Sequence, residues 1–543
     1  MRKLNILLAL CTFASLLSAQ TISTNQFKNL KPRSIGPAGM SGRVTAIDAL
    51  HSNPDIIYLG TASGGVWKTE NGGSSWLPVF DEQPTLNIGS VAIQQSNPSV
   101  VWAGTGEGNP RNSLNLGSGI YKSLDAGKTW KLMGLEKTKN IHRVIIDPND
   151  GNTVYAAAIG NPYAEHAERG VYKTTDGGET WKLILHTNDT SGCAELVMDP
   201  TNPNKLIANM WQHRRTPYSF KSGGPGSGLY LTFDGGKNWK KLGKKEGLPD
   251  GDYGRIGITI SGNDPRRIYA LVEATKNGLY KTDDGGFKWE LVNSNASDVT
   301  NRAFYFQDIR VDPLNENRLY NINQVISMSE DGGKSFQSVI PYSGIHPDHH
   351  AFWIHPTNPN FIIDGNDGGI GISRDRGRTW KFDEQLPVGQ FYHVNVDNEV
   401  PYHIMGGMQD NGSWRGPAYS WMEGGIKNYF WDNVWSGDGF DVSPDPQDAN
   451  WVYAMSQKGE LGRYNVATGE QNSLQPPLPN LKTRLRFNWN AAFAQAPDEV
   501  NTIYYGSQFV HKSTNKGFTW QMISPDLTTN DTAQQKQDEN GGL

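Results

Sequence analysis

Four short segments in the second half of the chain bring aspartate into glycine-rich loops, the first of them with three histidines. They read GIHPDHH (344–350), DGNDGG (364–369), QDNGS (409–413) and WSGDGFD (435–441). Imidazoles beside carboxylates can hold a divalent metal. The histidines available for this are His346, His349 and His350. Two facing carboxylates can instead form the acid/base pair of glycoside hydrolysis. The candidates for that pair are Asp348, Asp410 and Asp438, with Asp367 as a ligand-binding group. The spacing matches no strong metal motif, so a purely hydrogen-bonding role in the loops stays open beside both chemistries.

A second group combines arginines with one glutamate near the starts and turns of apolar segments. Its members are Arg43, Glu107, Arg111, Asn112 and Arg143. Paired guanidinium N–H groups can clamp a carboxylate or a peptide terminus. The same arginines can be satisfied by an acid of the protein itself, such as Glu107. Ligand binding and internal pairing are therefore alternative predictions for this group.

The longest loop and the densest aromatic segment each suggest a binding surface. The loop WQHRRTPYSFKSGGPGSG (211–228) carries Arg214 and Arg215, and it is either a lid over a central channel or a solvated insertion. The aromatic segment contains Trp414, Tyr419, Trp421, Tyr429, Phe430, Trp431 and Trp435. Exposed rings would form flat platforms for sugar stacking, with Trp414 and Trp435 as ligand contacts, whereas buried rings would only fill a core.

A repeated element must position these groups, because one octapeptide pattern recurs eight times. The pattern is Ser/Thr-x-Asp-x-Gly-x-Thr/Ser-Trp, and its copies begin at residues 69, 123, 174, 232, 282, 329, 373 and 513. In TTDGGETW (174–181), Asp176 can accept the free backbone N–H groups of a tight turn, and Gly178 supplies a backbone angle that most residues avoid. Trp181 is expected to begin the next strand and to pack down on the sheet. The pattern predicts a turn that stabilises the fold and has no chemistry of its own.

Each octapeptide belongs to a longer unit of four short strands. Ten units open with an apolar pair of strands such as VTAIDALHSNPDIIYLGT (44–61). Their period of roughly 40 to 60 residues predicts an all-β fold, a β-propeller of four-stranded antiparallel blades with about ten repeats. The blades could form a single ten-bladed ring, or a seven-bladed ring plus part of a second propeller with a split near residue 390.

Propeller geometry sorts the connections between strands. The octapeptide turns lie on one face, whereas the loops between second and third strands and those entering first strands gather on the other face around the channel. The candidate histidines and aspartates all fall in loops of the latter kind. They are therefore predicted to share one rim.

Composition and charge restrict the function classes. With 36% hydrophobic and 19% charged residues, the chain can bury a large core and is not a disordered tail. Its net charge of −5 gives no basic field to attract a phosphate backbone, so a nucleic-acid partner is not expected. A glycan or a peptide is the expected partner. No cofactor is required, a divalent metal is possible, and the oligomeric state stays open.

The N-terminus predicts export. The apolar run from Leu4 to Leu17 follows two basic residues and precedes Ser18 and Ala19, which is typical of a signal peptide over residues 1–19 and too short for a transmembrane segment. Cys193 is then the one thiol of the mature chain. An exported protein without an internal disulfide is expected to be bacterial, and periplasmic or extracellular. Propeller repeats are predicted over residues 20–525, followed by a polar tail or a truncated continuation over residues 526–543.

The octapeptide is the Asp-box, also called the BNR repeat. Further motifs accompany it: GPAGMSGRV (36–44), GTGEGNPRNS (104–113), DHHAFWIHPTNPN (348–360), GQFYHV (389–394) and GGMQDNGSW (406–414). Together they resemble bacterial sortilin-N-terminal-like, BNR-repeat propeller proteins over nearly the whole mature chain. The resemblance implies a secreted propeller, of a kind often labelled glycosyl hydrolase on the strength of the repeats alone. Sortilins also carry a cysteine-rich module, which this sequence lacks, so the resemblance implies no sorting-receptor role.

Two enzyme families with Asp-boxes can be checked at their catalytic positions. Sialidases carry a Phe/Tyr-Arg-Ile-Pro motif, and the nearest string here, PRSIG (32–36), does not match. Two-propeller xyloglucanases resemble the chain at GTASGGVWK (60–68), but they place a catalytic base two residues before the Gly-Gly pair, where this sequence has Ala62 or Ser63. We therefore predict a glycan- or peptide-recognition module, with a glycoside hydrolase as the alternative.

Overall fold

The computed structural model describes residues 23–27, 29–30, 33–36, 41–111, 114–299, 302–340, 344–383, 386–480 and 482–536. The predicted signal peptide lies outside these residues and stays a prediction, as does the nature of the tail over residues 526–543. The chain divides into a unit of residues 1–35, with one described 3-10 helix at Thr24–Phe27, and a unit of residues 36–543 that holds every described strand. Within the described part, no helix combines the length and the apolar character needed to cross a membrane.

Ten antiparallel sheets follow one another along the chain, and each is built from consecutive strands. Blade 1 contains β1 (Val44–Ala49), β2 (Ile57–Thr61), β3 (Val66–Thr69) and β4 (Leu77–Pro78). Blade 2 contains β5 (Ile88–Ile93), β6 (Val101–Thr105), β7 (Ile120–Ser123) and β8 (Lys131–Leu132). Blade 3 contains β9 (Ile141–Asp147), β10 (Asp150–Ala158), β11 (Gly170–Thr174) and β12 (Lys182–Leu185). Blade 4 contains β13 (Ser191–Asp199), β14 (Asn202–Thr216), β15 (Ser219–Ser222), β16 (Gly228–Thr232) and β17 (Lys240–Leu242). Blade 5 contains β18 (Ile256–Ile260), β19 (Ile268–Val272), β20 (Gly278–Thr282) and β21 (Glu290–Asn293).

The remaining blades repeat the same order. Blade 6 contains β22 (Asp308–Asp312), β23 (Asn315–Ile322), β24 (Ser327–Ser329) and β25 (Gln337–Ser338). Blade 7 contains β26 (His349–Ile354), β27 (Ile362–Asn366), β28 (Gly369–Ser373) and β29 (Lys381–Asp383). Blade 8 contains β30 (Asn395–Val396), β31 (His403–Gly407), β32 (Ser413–Pro417) and β33 (Asp432–Trp435). Blade 9 contains β34 (Gly439–Asp445), β35 (Asp448–Ser456), β36 (Glu460–Asn465) and β37 (Gln471–Ser473). Blade 10 contains β38 (Phe493–Gln495), β39 (Ile503–Gly506), β40 (Val510–Ser513) and β41 (Gln521–Met522).

Short helical turns make up the other regular elements. They are α1 (Ala296–Val299) and the 3-10 helices Glu136–Thr138, Lys244–Glu246, Asn428–Phe430, Gln457–Gly459 and Thr532–Gln535. In blade 4 the extra strand β15 pairs with the end of β14, so the lengthened loop predicted over 211–228 is a hairpin. The predicted all-β propeller of four-stranded antiparallel blades is confirmed.

Hydrophobic residues lie between adjacent blades and form the core there. In blade 2, all residues of β5 and β6 are buried, whereas both residues of the outermost strand β8 are exposed. One cluster joins Tyr58 and Val66 of blade 1 to Val91 and Val101 of blade 2. Because each sheet buries both faces of its inner strands against its neighbours, these strands are nearly continuous apolar runs and the polar residues fall in the connections.

The octapeptides form the tight turns between third and fourth strands. At the third copy, Asp176 accepts hydrogen bonds from the backbone N–H of Thr180 at 3.0 Å and from the Thr174 hydroxyl, which in turn accepts from the N–H of Gly178. Gly178 has a φ of 99°, in the region that favours glycine. The predicted local bonding of Asp176 is therefore present in the turn.

In some copies the tryptophan that ends the octapeptide reaches the preceding blade, whereas Trp380 donates to the carbonyl of Gly377 in its own turn at 3.0 Å. The indole N–H of Trp181 in blade 3 donates to the carbonyl of Met133 at 2.8 Å, and that of Trp130 in blade 2 donates to the carbonyl of Val79 at 2.6 Å. Trp181 therefore does more than pack on its own sheet, because its hydrogen bond ties two blades together.

A hydrogen bond of the same kind joins blade 1 to blade 7 and so closes a ring of blades. The indole N–H of Trp76 in blade 1 donates to Asp383 Oδ2 of blade 7 at 2.7 Å. A shared hydrophobic cluster also packs Val44 and Leu59 of blade 1 against Ile363 of blade 7. The first seven blades therefore close on themselves. The domain boundary predicted near residue 390 stays a prediction, and it falls between β29 and β30, directly after the blade that completes this ring.

Candidate functional site

The candidate site is built from connections of one kind, as expected for the channel face. Arg43 directly precedes β1, and Glu107 follows β6 in the loop to β7. Asp367 and Gly368 form the two-residue turn between β27 and β28, whose flanking residues Asn366 and Gly369 pair with each other. Ring closure brings the start of blade 1 beside this turn of blade 7.

Arg43 is the buried cation at the centre of the site. Its Nε lies 2.7 Å from Asp367 Oδ1 and its Nη2 lies 3.2 Å from Asp367 Oδ2, which is a bidentate pair. Its Nη1 donates to Glu107 Oε1 at 3.1 Å. Burial opposes ionisation of Asp367, but the charges of Arg43 and His350 hold its pKa well below the usual range. Burial raises the pKa of Glu107, and Arg43 offsets only part of that shift. Internal pairing is thus what the structure shows for Arg43 and Glu107.

Tyr305 and His350 complete the environment of Asp367. The Tyr305 hydroxyl donates to Asp367 Oδ2 at 2.7 Å, and His350 Nε2 lies 2.8 Å from Asp367 Oδ1. The Tyr305 ring lies 5.2 Å from the Arg43 guanidinium carbon. Burial raises the pKa of Tyr305 well above its usual range, so the phenol stays a hydrogen-bond donor. Asp367 is therefore a fixed carboxylate.

Three carboxyl groups converge beside Arg43. One oxygen each of Asp348, Asp367 and Asp410 lies within 4.8 Å of the others. Burial raises the pKa of Asp348 to about 7, with the charge of Asp367 adding to the shift. Burial and the charges of Asp367 and Asp438 hold the pKa of Asp410 well above its usual range. Asp410 therefore carries the proton of its hydrogen bond with Asp367, and the site combines a carboxylic acid with a carboxylate.

The two outer carboxyl groups sit on unusual backbone. Asp348 has a φ of 64° and Asp410 a φ of 60°, both in the left-handed region. The Asp348 backbone is held by its N–H donating to the Gln324 carbonyl and by its carbonyl accepting from the Asp367 N–H, both at 3.0 Å. The Asp410 N–H donates to Asp438 Oδ1 at 2.6 Å. Strained conformations fixed in this way are concentrated at functional sites.

Asp438 and Arg111 border the carboxyl groups. Asp438 precedes β34 and supports the Asp410 backbone, so one of its oxygens is already engaged. The Arg111 guanidinium lies 5.5 Å from the rings of Tyr305 and Trp489. Its Nη1 is buried and has no hydrogen-bond partner among the described residues. Arg111 is therefore a buried cation beside the carboxyl groups.

The three candidate metal-binding histidines face different partners. His346 Nδ1 lies 2.8 Å from the carbonyl of Pro347, and His349 Nδ1 lies 2.8 Å from Asp364 Oδ2. His350 contacts Asp367. Among the described residues, the one group with ligand atoms close enough for a metal consists of the three aspartates. The buried Arg43 already supplies positive charge there, so a metal at this place stays a prediction from sequence alone.

Two further candidate ligand-binding residues, Arg143 and Arg215, contact groups of the protein other than the three carboxyl groups. Arg143 pairs with Glu195 at 2.8 Å and with Asp308 at 3.3 Å. Arg215 donates to the carbonyl of Pro110 at 3.0 Å, which attaches the β14–β15 hairpin to the Glu107–Arg111 loop. Arg214 precedes it in the same hairpin. Asn112 lies outside the described residues.

The aromatic residues split into two sets. Trp435 covers Gly462, where an added Cβ would lie 2.1 Å from the ring, and Trp414 Nε1 donates to the carbonyl of Asn411 at 2.7 Å. Trp431 is buried on Gly416 in the same manner. Trp421 and Tyr429 are instead exposed. Some rings of the segment therefore pack against the protein, and others are exposed to solvent.

Two residues of the site carried a signal that the sequence analysis did not use. Tyr305 enters β22 and Trp489 enters β38, so both belong to the connections that gather at the channel. Asn109, in the same loop as Glu107, accepts from Arg255 at 2.9 Å and lies 3.4 Å from His350 Nδ1. All three residues lie in loops that enter a first strand or join a second to a third strand. Such loops in every blade, and not only in blades with histidine, are therefore candidates for the channel face.

Known sequences match the chain over part of its length. The family model described as Sortilin, neurotensin receptor 3 matches residues 118–248. A xyloglucanase from Paenibacillus sp is 23% identical over 381 residues, covering 63% of this chain and 35% of the relative. Xyloglucanase Xgh74A from Acetivibrio thermocellus is 22% identical over 393 residues, covering 63% of this chain and 43% of the relative. The chain thus spans less than half the length of these curated relatives.

Solved structures match over most of the chain. An ancestral GH74 enzyme superimposes with a TM-score of 0.60 at 15% identity, covering 92% of this chain and 73% of that one. The GH74 enzyme of Niastella koreensis superimposes with a TM-score of 0.51 at 16% identity, covering 90% and 87%. At such identities the likeness shows the fold alone. The chain is a β-propeller whose sequence is similar, in part, to sortilins and to xyloglucanases.

Proposed function

We propose that the chain is a glycoside hydrolase that acts on a polysaccharide, with Asp410 as the proton donor and Asp348 as its carboxylate partner. The observation that carries this proposal is the approach of their oxygens to within 4.8 Å of each other. The Asp410 side chain is 22% exposed although Arg43 and Asp367 beneath it are buried, so a glycosidic oxygen can reach it.

The protonation states suit these roles. Burial and neighbouring charge hold the pKa of Asp410 well above the usual range, which favours the protonated form that a proton donor needs. Asp348, with a pKa of about 7, is partly ionised at neutral pH. Asp367 is ionised, but Arg43 and Tyr305 occupy its oxygens, and we assign it the role of positioning Asp410 and keeping it protonated.

Oxygens within 4.8 Å of each other leave little room for the attacking water of an inverting reaction, so the geometry favours a retaining one. Retaining glycosidases hold their carboxyl groups about 5 to 5.5 Å apart, whereas inverting ones need about 6.5 to 9.5 Å for the attacking water. In this mechanism Asp410 protonates the leaving oxygen while the Asp348 carboxylate attacks the anomeric carbon. Asp410 then takes a proton from water as that water releases the sugar from Asp348.

The relatives named xyloglucanases make xyloglucan the first substrate to test. Reducing-end release from xyloglucan and from other plant and bacterial polysaccharides is to be measured with the parent protein, Asp410→Asn and the control Asp441→Asn. We expect release by the parent and by the control only, with the product anomer retained in proton NMR. Equal release by Asp410→Asn and the parent would overturn the assignment.

A second candidate is recognition of a glycan or peptide without hydrolysis. It is favoured by Ala62 or Ser63 at the position where xyloglucanases place their base, and by the buried Nη1 of Arg111, which has no hydrogen-bond partner among the described residues. Titration calorimetry decides between the two. Binding of an oligosaccharide or peptide that is recovered intact after prolonged incubation would support recognition, and an Arg111→Met variant would then bind more weakly.

A further inference from the structure

Blade 8 carries aromatic rings at the end opposite to Asp410. Asp410 lies just before β32, which runs from Ser413 to Pro417, and the connection to β33 leaves the other end of that strand. Four side chains of this connection are 48 to 85% exposed: Tyr419, Trp421, Met422 and Tyr429. Leaving such large apolar groups in water has no benefit for folding, and contiguous exposed patches of this kind mark binding surfaces.

The rings form one wall of a cavity of about 400 Å³. Tyr419 and Trp421 meet edge to face with their ring centroids 4.9 Å apart. The wall consists of Tyr419, Trp421, Met422 and Phe430. We call these four residues the blade 8 platform. Flat aromatic rings border an open cavity here. This arrangement suits a ligand whose rings stack on the aromatic side chains better than an extended peptide strand.

Polar groups line the other wall and are held in place. His403 Nδ1 lies 2.7 Å from Asp397 Oδ2, and Arg415 Nη2 lies 3.1 Å from His403 Nδ1. Arg415 is 93% buried, and its Nε has no hydrogen-bond partner among the described residues. Arg415 lines the cavity, and its guanidinium carries N–H donors that suit a ligand acceptor such as a hydroxyl or ring oxygen.

The charges of this wall select a neutral ligand. Arg415 is balanced by Asp397 at 3.5 Å, and the carboxyl of Asp432 lines the same cavity. A polyanion would meet the carboxyl of Asp432, and a polycation would meet the guanidinium of Arg415. A neutral sugar offers apolar C–H faces to the rings and hydroxyls to Arg415, His403 and Asp432.

We propose that the blade 8 platform and its polar wall are a secondary binding site for a neutral polysaccharide chain, separate from the carboxyl site. The inference rests on the proposed function, because it assumes a polysaccharide substrate. A site at the far end of β32 would hold the polymer near the enzyme without touching the bond that is cleaved.

The test uses Trp421→Ala, whose exposed ring can be removed without opening the core. Phe518→Ala is the matched control, since Phe518 is a ring exposed to 60% in the turn of another blade. Migration in native gels that contain xyloglucan measures polymer binding, and kinetics are followed on xyloglucan and on its shortest cleaved oligosaccharide. We expect Trp421→Ala to weaken retention at least about fivefold and to raise the KM for the polymer, with the oligosaccharide unaffected. Trp421→Phe should restore most of the binding.

The outcomes separate the two proposals. Retention unchanged in Trp421→Ala, with hydrolysis intact, overturns the secondary site and leaves the hydrolase proposal standing. Weakened retention in a protein that hydrolyses nothing supports the site and overturns the hydrolase. Light scattering compares the molar mass of Trp421→Ala with that of the parent. A changed molar mass with unchanged retention would show that the platform is a protein interface, and it would also overturn the proposed polysaccharide site.

Discussion

Asp125 in an octapeptide turn and Asp348 at the channel mouth hold their protons with opposite strength. In the turn, Asp125 is half-buried and accepts from the Thr129 hydroxyl at 2.6 Å and the Thr129 backbone N–H at 2.8 Å, and these bonds lower its pKa to about 2. At the mouth, burial raises the pKa of Asp348 to about 7. The same side chain is thus a structural anion in one place and a titrating acid in the other, because water and donors surround the first and a second carboxylate faces the other.

Arg43 neutralises buried carboxylates at the channel mouth, and its removal should have the largest effect. Arg43→Met leaves Asp367 and Glu107 buried without their cation, and we expect it to destabilise the protein by about 3 to 5 kcal/mol in urea denaturation. Arg266→Met is the matched control, because Arg266 is 75% exposed in its pair with Asp264. An unchanged urea midpoint for Arg43→Met would mean that this cation does not hold the site together.

The next effect concerns catalysis. Asp410→Asn keeps the shape of the side chain but has no proton to donate, so kcat on the cleaved polysaccharide should fall about 100-fold or more. Asp125→Asn, made in an octapeptide turn, should leave kcat unchanged. A similar loss in both variants would show that the two kinds of aspartate do not differ in function.

A third effect appears in the pH dependence of stability. The raised pKa of Asp348 means that the folded state binds its proton more tightly, so this contribution is complete below about pH 4 and is lost as the pH rises through 7. Between pH 5 and 7, Tm should fall more steeply with pH in the parent than in Asp348→Asn. The corresponding difference in the free energy of unfolding is at most about 1.4 kcal/mol per pH unit. Parallel curves would contradict the assigned protonation.

The smallest effect belongs to the turns, and it has the opposite sign. The lowered pKa of Asp125 gives stability that is present above about pH 4 and is lost as the pH falls through 2. Asp125→Ala should lower Tm by no more than a few degrees at pH 7, with a difference that shrinks in acid. A larger loss at low pH than at neutral pH would refute this.

The turns and blades could be predicted because their determinants are local. Thr174, Asp176 and Gly178 bond within five residues of one another, so the octapeptide alone specifies the turn. The strand period likewise predicts the sheets.

The site could be predicted only in part, since its pairs are distant in sequence. Arg43 and Asp367 are 324 residues apart and meet because blade 7 packs on blade 1. The sequence did not decide between a seven-bladed and a ten-bladed ring, so it could not predict this contact. His349 and His350 are adjacent in β26, so they point to opposite faces of the sheet, towards Asp364 and Asp367. The loops that form the site could therefore be predicted from the sequence. The partner of each side chain could not, because it depends on how the blades pack against one another.

The pH profile of kcat/KM on a soluble oligosaccharide tests the central claim most directly, because it reports the carboxyl groups of the free enzyme. We expect an acid limb with its midpoint near pH 7, as Asp348 ionises. An acid limb near pH 4, where an ordinary aspartate titrates, would contradict the account.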